Sequence, residues 1–250
     1  MSEFQHFPGA ALYRCGLNRH AVFALADLPG DIVGSDTTDY RQLILIGHGG
    51  KALWEAVKKS GGDGADPIDD FTVRTVRQWM AEFQPDNCYT ILYPGPRPIA
   101  LQRLGALAGW HHASPFMLGI DAEWGTWYAY RAVVLADTHF APSPVVDRAP
   151  SARDTVPGST GNIKEVPLGG ISPCAACQDK PCIATCPASA MAGGIFSLQK
   201  CVAWRKQADS PCAFTCLARV ACPVGSDHRY CTEQLAHTYS VSLQTIRGHC

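Results

Sequence analysis

The sequence predicts a two-part α/β (α+β) protein: an α/β domain over residues 1–140, a linker over 141–164 and a cysteine module over 165–250. Three observations carry this. First, the apolar run Leu43–Ile46 is followed by Gly47-His48-Gly49-Gly50 and then by helix-favouring residues from Lys51 on, the strand–turn–helix order of an α/β unit. Second, Trp127 to Ala136 is rich in aromatic and β-branched residues, as half-buried strands are. Third, eight of the twelve cysteines fall between Cys174 and Cys222.

The other elements follow in order. Residues 1–40 are weakly patterned. Asp69 or Asp70 can cap a helix in which Val73, Val76, Met80 and Phe83 recur at helical spacing, giving one apolar face. Arg74, Arg77 and Glu82 point away from it. Thr90–Tyr93 reads as a strand ended by a proline cluster, and Ile99–Ala108 as a helix. Four prolines among small polar residues mark the linker.

Composition narrows the function classes. Hydrophobic residues make up 46% and charged residues 17%, so the chain is globular. A formal net charge of −1 offers no electrostatic footprint for DNA. The N-terminus lacks a basic segment leading into an apolar run, so no secretory signal is expected. The longest apolar stretches are far short of the roughly 20 residues of a membrane helix. These features predict a cytoplasmic protein with no membrane partner, in a compartment where dense cysteines bind metal more often than they form disulfides.

The cysteines carry the chemistry. Cys174, Cys177, Cys182 and Cys186 form C-x2-C-x4-C-x3-C, followed by Pro187. Cys201, Cys212, Cys216 and Cys222 form a spread second group, followed by Pro223. Short spacings that end in Cys-Pro mark iron–sulfur ligation. Structural zinc, the competing reading, favours two C-x2-C knuckles, and this module has one. Two 4Fe-4S clusters are therefore the expected cofactors. In two-cluster ferredoxins the last cysteine of each motif crosses to the other cluster. Carried over, Cys174, Cys177, Cys182 and Cys222 hold one cluster, and Cys186, Cys201, Cys212 and Cys216 the other. The wide spacing of the second group leaves this partition open. Cys15 and Cys88 read as buried free thiols and Cys250 as a free terminal one.

The segment Gly119–Leu135, Gly-Ile-Asp-Ala-Glu-Trp-Gly-Thr-Trp-Tyr-Ala-Tyr-Arg-Ala-Val-Val-Leu, resembles the glycine loop and strand of the cobalamin-processing chaperones. Asp66-Pro67-Ile68-Asp69 resembles their Asp-Pro-hydrophobic-Asp stretch. An α/β domain followed by a two-cluster module is also similar to the layout of epoxyqueuosine reductase and the reductive dehalogenases. The resemblance implies a nitroreductase-like sandwich with an appended ferredoxin-like module. It implies a corrinoid, cobalamin, at the N-terminal domain, with Gly125, Trp127, Tyr130 and Arg131 as the best-matching cofactor-binding positions. The Asp-x-His-x-x-Gly motif that replaces cobalamin's lower base is missing, since Asp227 and His228 are adjacent.

Each of these residues also has a plain structural reading. Arg131 would pair with an acid at the sheet edge, and Trp124, Trp127, Tyr128 and Tyr130 would be core. Gly47–Gly50 would be a turn rather than an anion cradle, and His111-His112 a surface pair. No catalytic residue can be assigned. Three functional readings follow: a reductase passing single electrons through two clusters to a corrinoid, a ferredoxin-type carrier or adaptor that only docks a redox partner protein, and an epoxyqueuosine-reductase-like enzyme acting on RNA.

Overall fold

A computed structural model of the 250-residue chain describes residues 4–32, 34, 37–62, 64–144 and 172–248. The linker expected at 141–164 therefore lies outside the described residues from 145 on, as does Cys250. The described residues within Met1–Gly109 and Tyr128–Asp147 form one compact unit, and those within Trp110–Trp127 and Arg148–Cys250 form another. No helix among them is long and apolar enough to cross a membrane.

The first unit is a four-stranded sheet with helices against it. Its elements are α1 (Gly9–Arg14), β1 (Arg19–Ala24), β2 (Gln42–Gly49), α2 (Ala52–Lys59), α3 (Pro67–Phe83), β3 (Tyr89–Tyr93), α4 (Leu101–Leu107) and β4 (Tyr128–Ala136). The strand order is β1-β2-β4-β3, and every neighbouring pair is antiparallel. The fold is thus mixed α/β with an antiparallel sheet, not a parallel βαβ array. All eight residues of β2 are buried. A strand flanked on both sides, with its faces covered, reads as a continuous apolar run rather than an alternation.

The strand β2 continues through Gly47–Gly49, and the chain turns only at Gly50, where φ is +73°. The expected turn is therefore three residues later. Residues 1–40 hold β1 and α1, which periodicity missed. The central three residues of β1, Ala21 to Phe23, are all buried, so no two-residue alternation betrays the strand.

Helix α3 starts at Pro67, and its cap is Asp66 rather than Asp69 or Asp70. The Asp66 carboxylate accepts the Asp69 N–H at 3.2 Å. Proline at the first helical position fixes the start, since its missing N–H costs nothing there. The apolar face is wider than the four-residue stripe: Phe71, Thr72, Thr75 and Trp79 are buried besides Val76 and Met80. Trp79 Nε1 donates to the Pro8 carbonyl at 3.1 Å, which ties the N-terminal segment to α3. Arg74, Arg77 and Glu82 are exposed, as expected.

The second unit has little regular structure apart from short helices and one long one. These are α5 (Pro173–Ala176), α6 (Pro181–Ala184), α7 (Leu198–Arg205), α8 (Leu217–Ala221) and α9 (Thr232–Gly248). Single 3₁₀ turns lie at Ala192–Gly194, Pro211–Ala213 and Ser226–His228. Trp127 belongs to this unit, in a turn whose N–H bonds the Trp124 carbonyl, and not to the strand it was expected to open. Trp127, Tyr230 and Leu235 form one buried cluster, and Phe116, Cys182, Met191 and Ala218 form another.

His111 and His112 are buried, not a surface pair; a bridge from His112 to Ile120 draws the segment inward. Burial, and next the neighbouring His112, lower the His111 pKa from 6.5 to about 4. Between those values the unfolded chain binds a proton that the folded chain refuses, so stability falls as pH falls through this window. The expected loss from this group is about 3 kcal/mol by the bottom of the window. Denaturant midpoints of wild type and His111→Gln at pH 7 and pH 4 check this. The acid-induced loss should be smaller in the variant, and equal losses would remove His111 as a cause.

Candidate metal centre

The eight candidate ligand cysteines lie in or beside the short helices of the second unit. Ser172 caps α5, its Oγ accepting the Cys174 N–H at 3.2 Å while donating to the Ala113 carbonyl at 2.9 Å. Pro173 and Pro181 start α5 and α6, and the chain between them turns at Lys180, which has φ +39°. This turn absorbs the four-residue gap between Cys177 and Cys182. Cys201 lies in α7, and Cys212 in the 3₁₀ turn Pro211–Ala213. Cys216 and Cys222 cap the two ends of α8, about 9 Å apart at the helical rise of 1.5 Å per residue. Pro223 holds Cys222 extended, with ψ 127°.

Several of the thiols lie within electrostatic reach of one another. Burial pushes Cys174 up to about 11, and the nearby thiols of Cys222, Cys182 and Cys177 push the same way, against a hydrogen bond from the Ser172 region. Burial also raises Cys182, with Cys222 and Cys177 beside it, and Cys222, with Cys177 beside it. Burial raises Cys201, whose neighbours are Cys216, Cys186 and Cys212. Cys212 is raised in the same way, with Cys216 and Cys186 close. These electrostatic neighbours fall as Cys174/Cys177/Cys182/Cys222 and Cys186/Cys201/Cys212/Cys216, while Cys182, Cys186 and Cys216 also pack together around Phe116. Helix α6 packs on α8. Cys182, early in α6, neighbours Cys222 at the end of α8, while Cys186, beyond α6, groups with Cys216 at the start of α8.

The donor chemistry fits iron–sulfur clusters. Each quartet is all thiol, and none of the eight is in a disulfide. Among the described residues no group of three or more His, Cys, Asp or Glu side chains is arranged to hold a metal ion. Of the remaining cysteines, Cys15 and Cys231 are half-buried and Cys88 is exposed. Cys88 is therefore not the buried thiol expected of it; it lies just before edge strand β3.

The four positions singled out for a cofactor fall in different units. Gly125 and Trp127 belong to the cysteine unit, Tyr130 and Arg131 to the sheet unit. Gly125 has φ +58°, and a Cβ there would lie 2.0 Å from the Val224 carbonyl oxygen. Gly225 returns the contact, its Cβ falling 2.4 Å from the Trp124 carbonyl carbon. These two glycines let the 121–125 loop and the Cys222–Gly225 turn meet backbone to backbone. The Asp121 carboxylate organises the loop by accepting the N–H groups of Glu123 and Trp124 at 2.9 and 2.8 Å. His228 lies against Trp124, with ring centroids 4.3 Å apart. Trp127 is fully buried, edge-on to Tyr230 at 5.4 Å.

In the sheet unit, Ile46 pairs with Ala132 and Gly47 with Tyr130, so Arg131 is the extra residue of a β-bulge. A bulge re-aims its extra side chain. Arg131 Nε donates to Nδ1 of the fully buried His48 at 3.1 Å, and its guanidinium lies 3.7 Å from the Asp69 carboxylate. Burial, and next Asp66, raise the Asp69 pKa against the pull of Arg131. Burial, and next Asp69, raise Tyr93. A cluster of four titratable residues thus sits at the ends of β2, β3, β4 and α3. The acid partner of Arg131 matches the structural reading of that residue, although the acid comes from α3 rather than the sheet.

No protein-family model matches this chain, and no curated protein does. Among solved structures the chain is similar to epoxyqueuosine reductase from Streptococcus thermophilus, at 11% identity, covering 86% of this chain and 64% of that one, with TM-score 0.45. It is similar to epoxyqueuosine reductase with a tRNA-Tyr epoxyqueuosine-modified stem loop, at 10% identity, covering 91% and 66%, with TM-score 0.47. It is also similar to the C. elegans B12-trafficking protein CblC, at 14% identity, covering 50% and 65%, with TM-score 0.35. The chain spans less than two thirds of the length of each.

Proposed function

We propose that the chain is an iron–sulfur redox protein that passes single electrons through two 4Fe-4S clusters. Cys174, Cys177, Cys182 and Cys222 hold one, and Cys186, Cys201, Cys212 and Cys216 hold the other. What supports this reading is eight free thiols gathered on the short helices of one unit, with Cys222 among the electrostatic neighbours of Cys174 and Cys182, and Cys186 among those of Cys201 and Cys212. The clusters supply one-electron transfer. Cys182, Cys212 and Cys222 are buried and the other five half-buried, on short helices of which α5 and α6 start with proline.

The proposed acceptor is a corrinoid, as the sequence resemblance implies, with an external redox protein as donor. Of Gly125, Trp127, Tyr130 and Arg131, the first two are buried in backbone and aromatic packing. Contact with a corrinoid therefore falls to Tyr130 and Arg131, each partly exposed. The class of activity is reductase where an acceptor is bound.

Anaerobic purification with iron and sulfide quantified tests the reading. About eight of each per chain is the expected result for two cubane clusters. Cys177→Ser should lose about half the iron, because one ligand set is broken and the other kept. Full retention removes Cys177 from the ligands, and zinc in place of iron sinks the proposal. Titration with reduced cobalamin then decides the acceptor. A change in the corrinoid spectrum supports it; an unchanged spectrum leaves an electron carrier whose acceptor is another protein.

A further inference from the structure

Two buried guanidiniums lie in the cysteine unit without an acid partner. Arg205 and Arg219 are each 7% exposed. Arg205 donates to the carbonyls of Cys212 and Tyr239, at 3.1 and 2.8 Å, and to the Ser242 hydroxyl at 3.2 Å. Arg219 donates to the carbonyl and hydroxyl of Thr126 and to the hydroxyl of Tyr239, a phenol that burial pushes up to about 12. Its guanidinium carbon lies 4.5 Å from the centre of the Trp127 ring and 5.0 Å from that of Tyr230. Among the described residues neither forms an ion pair with Asp or Glu. Carbonyls and aromatic faces solvate a guanidinium but do not neutralise it, and an unpaired buried charge costs several kcal/mol.

The missing anion has an address. Arg205 donates to the carbonyl of Cys212 and lies four residues after Cys201 on the same face of α7, and Arg219 lies three residues after Cys216 in α8, where side chains lean toward the helix N-terminus. Both therefore belong to one quartet. The other quartet has Arg229, which donates to the Cys222 carbonyl at 3.2 Å and is only half-buried. Four thiolates outweigh the charge of the iron–sulfide core, so a ligated cluster is an anion, and reduction makes it more so. A buried cation stabilises the reduced form more than the oxidised one, because the attraction grows with the added charge in a low-dielectric setting.

We propose that Arg205 and Arg219 are built-in counter-charges for the Cys186/Cys201/Cys212/Cys216 cluster and make it the higher-potential member of the pair. This rests on the two-cluster reading above. With that cluster bound, the two arginines would favour it as the resting place of one electron lost by an external one-electron donor, with no bond formed or broken. Solvent screening weakens the corresponding effect of Arg229 on the first cluster.

The test is an anaerobic redox titration of the full chain with dithionite, followed by optical and electron-paramagnetic spectra, with iron and sulfide measured on each sample. Wild type without about eight iron fails the parent reading before any arginine is changed. Given that iron, Cys177→Ser should keep the higher-potential couple; retention of the lower one overturns the ordering. Arg205→Gln and Arg219→Gln should each shift the oxidised-to-reduced ratio of the higher couple about tenfold at fixed poise, or 59 mV, and leave the lower couple in place. Arg205→Lys should restore most of the shift. No shift, a shift in the lower couple, or identical behaviour of Gln and Lys overturns the proposal. If Arg205→Gln holds no second cluster while Arg205→Lys does, charge is what the site needs and the proposal stands. Loss of iron in both marks a role for shape alone and sinks it.

Discussion

Gly225→Ala is expected to destabilise the cysteine unit by about 4 kcal/mol and to displace Cys222 from its quartet. A Cβ at Gly225 would lie 2.4 Å from the carbonyl carbon of Trp124 and 2.5 Å from the backbone nitrogen of Gly125. Neither atom is the end of a flexible side chain, so the backbones must part. The residue also has φ +65°, a conformation that costs an L-residue about 1–2 kcal/mol. Overpacking against fixed backbone adds about 1–3 kcal/mol. The turn that would move begins at Cys222, so the metal site reports the same event. The measurement is denaturant unfolding alongside iron content. A loss under about 1 kcal/mol with full iron would show that the two loops do not need this close approach.

Gln42→Leu is expected to cost the sheet unit about 4 kcal/mol, for the opposite reason: nothing clashes, but partners vanish. Gln42 is 3% exposed, and Thr138 and Phe140 are fully buried. Its Oε1 accepts the Thr138 hydroxyl at 2.8 Å and the Phe140 N–H at 2.9 Å. Its Nε2 donates to the Phe140 carbonyl at 2.7 Å. Leucine keeps the volume and orphans three buried groups, each worth about 1–3 kcal/mol when left unmade. Gln42→Glu should fail to rescue, because a carboxylate keeps the two acceptor bonds, loses the donor and buries a charge. Urea midpoints at constant slope decide the matter. A leucine variant as stable as wild type would mean that the 138–140 segment finds other partners.

Much of the architecture can be read from local pattern. The apolar run at β2, the amphipathic α3 and the aromatic β4 were each legible, because periodicity and composition are local properties. The cap of α3 was displaced by three residues because Pro67 competes with any aspartate downstream of it for the role of helix start. The strand β1 was invisible because its core residues are consecutive, and the Gly47–Gly49 segment was mistaken for a turn because it stays in the sheet despite its glycines. His111 and His112 were misplaced because burial is decided by what packs over a residue, which an adjacent pair of histidines does not disclose.

The sites divide along the same line. Cysteine type and spacing belong to the chain, so the eight candidate ligands can be written down before any fold is known, while the wide spacing of the second group leaves their partition open. The counter-charges cannot. Nothing near Arg205 or Arg219 in sequence separates them from surface arginines, and each becomes distinctive only when Tyr239, Thr126 and Trp127 are folded around it. The same holds for Arg131, whose bulge, histidine and aspartate come from three different elements. By itself the sequence determined residue chemistry and local periodicity. Only the tertiary structure decided which charges lose their water, because desolvation depends on neighbours distant along the chain.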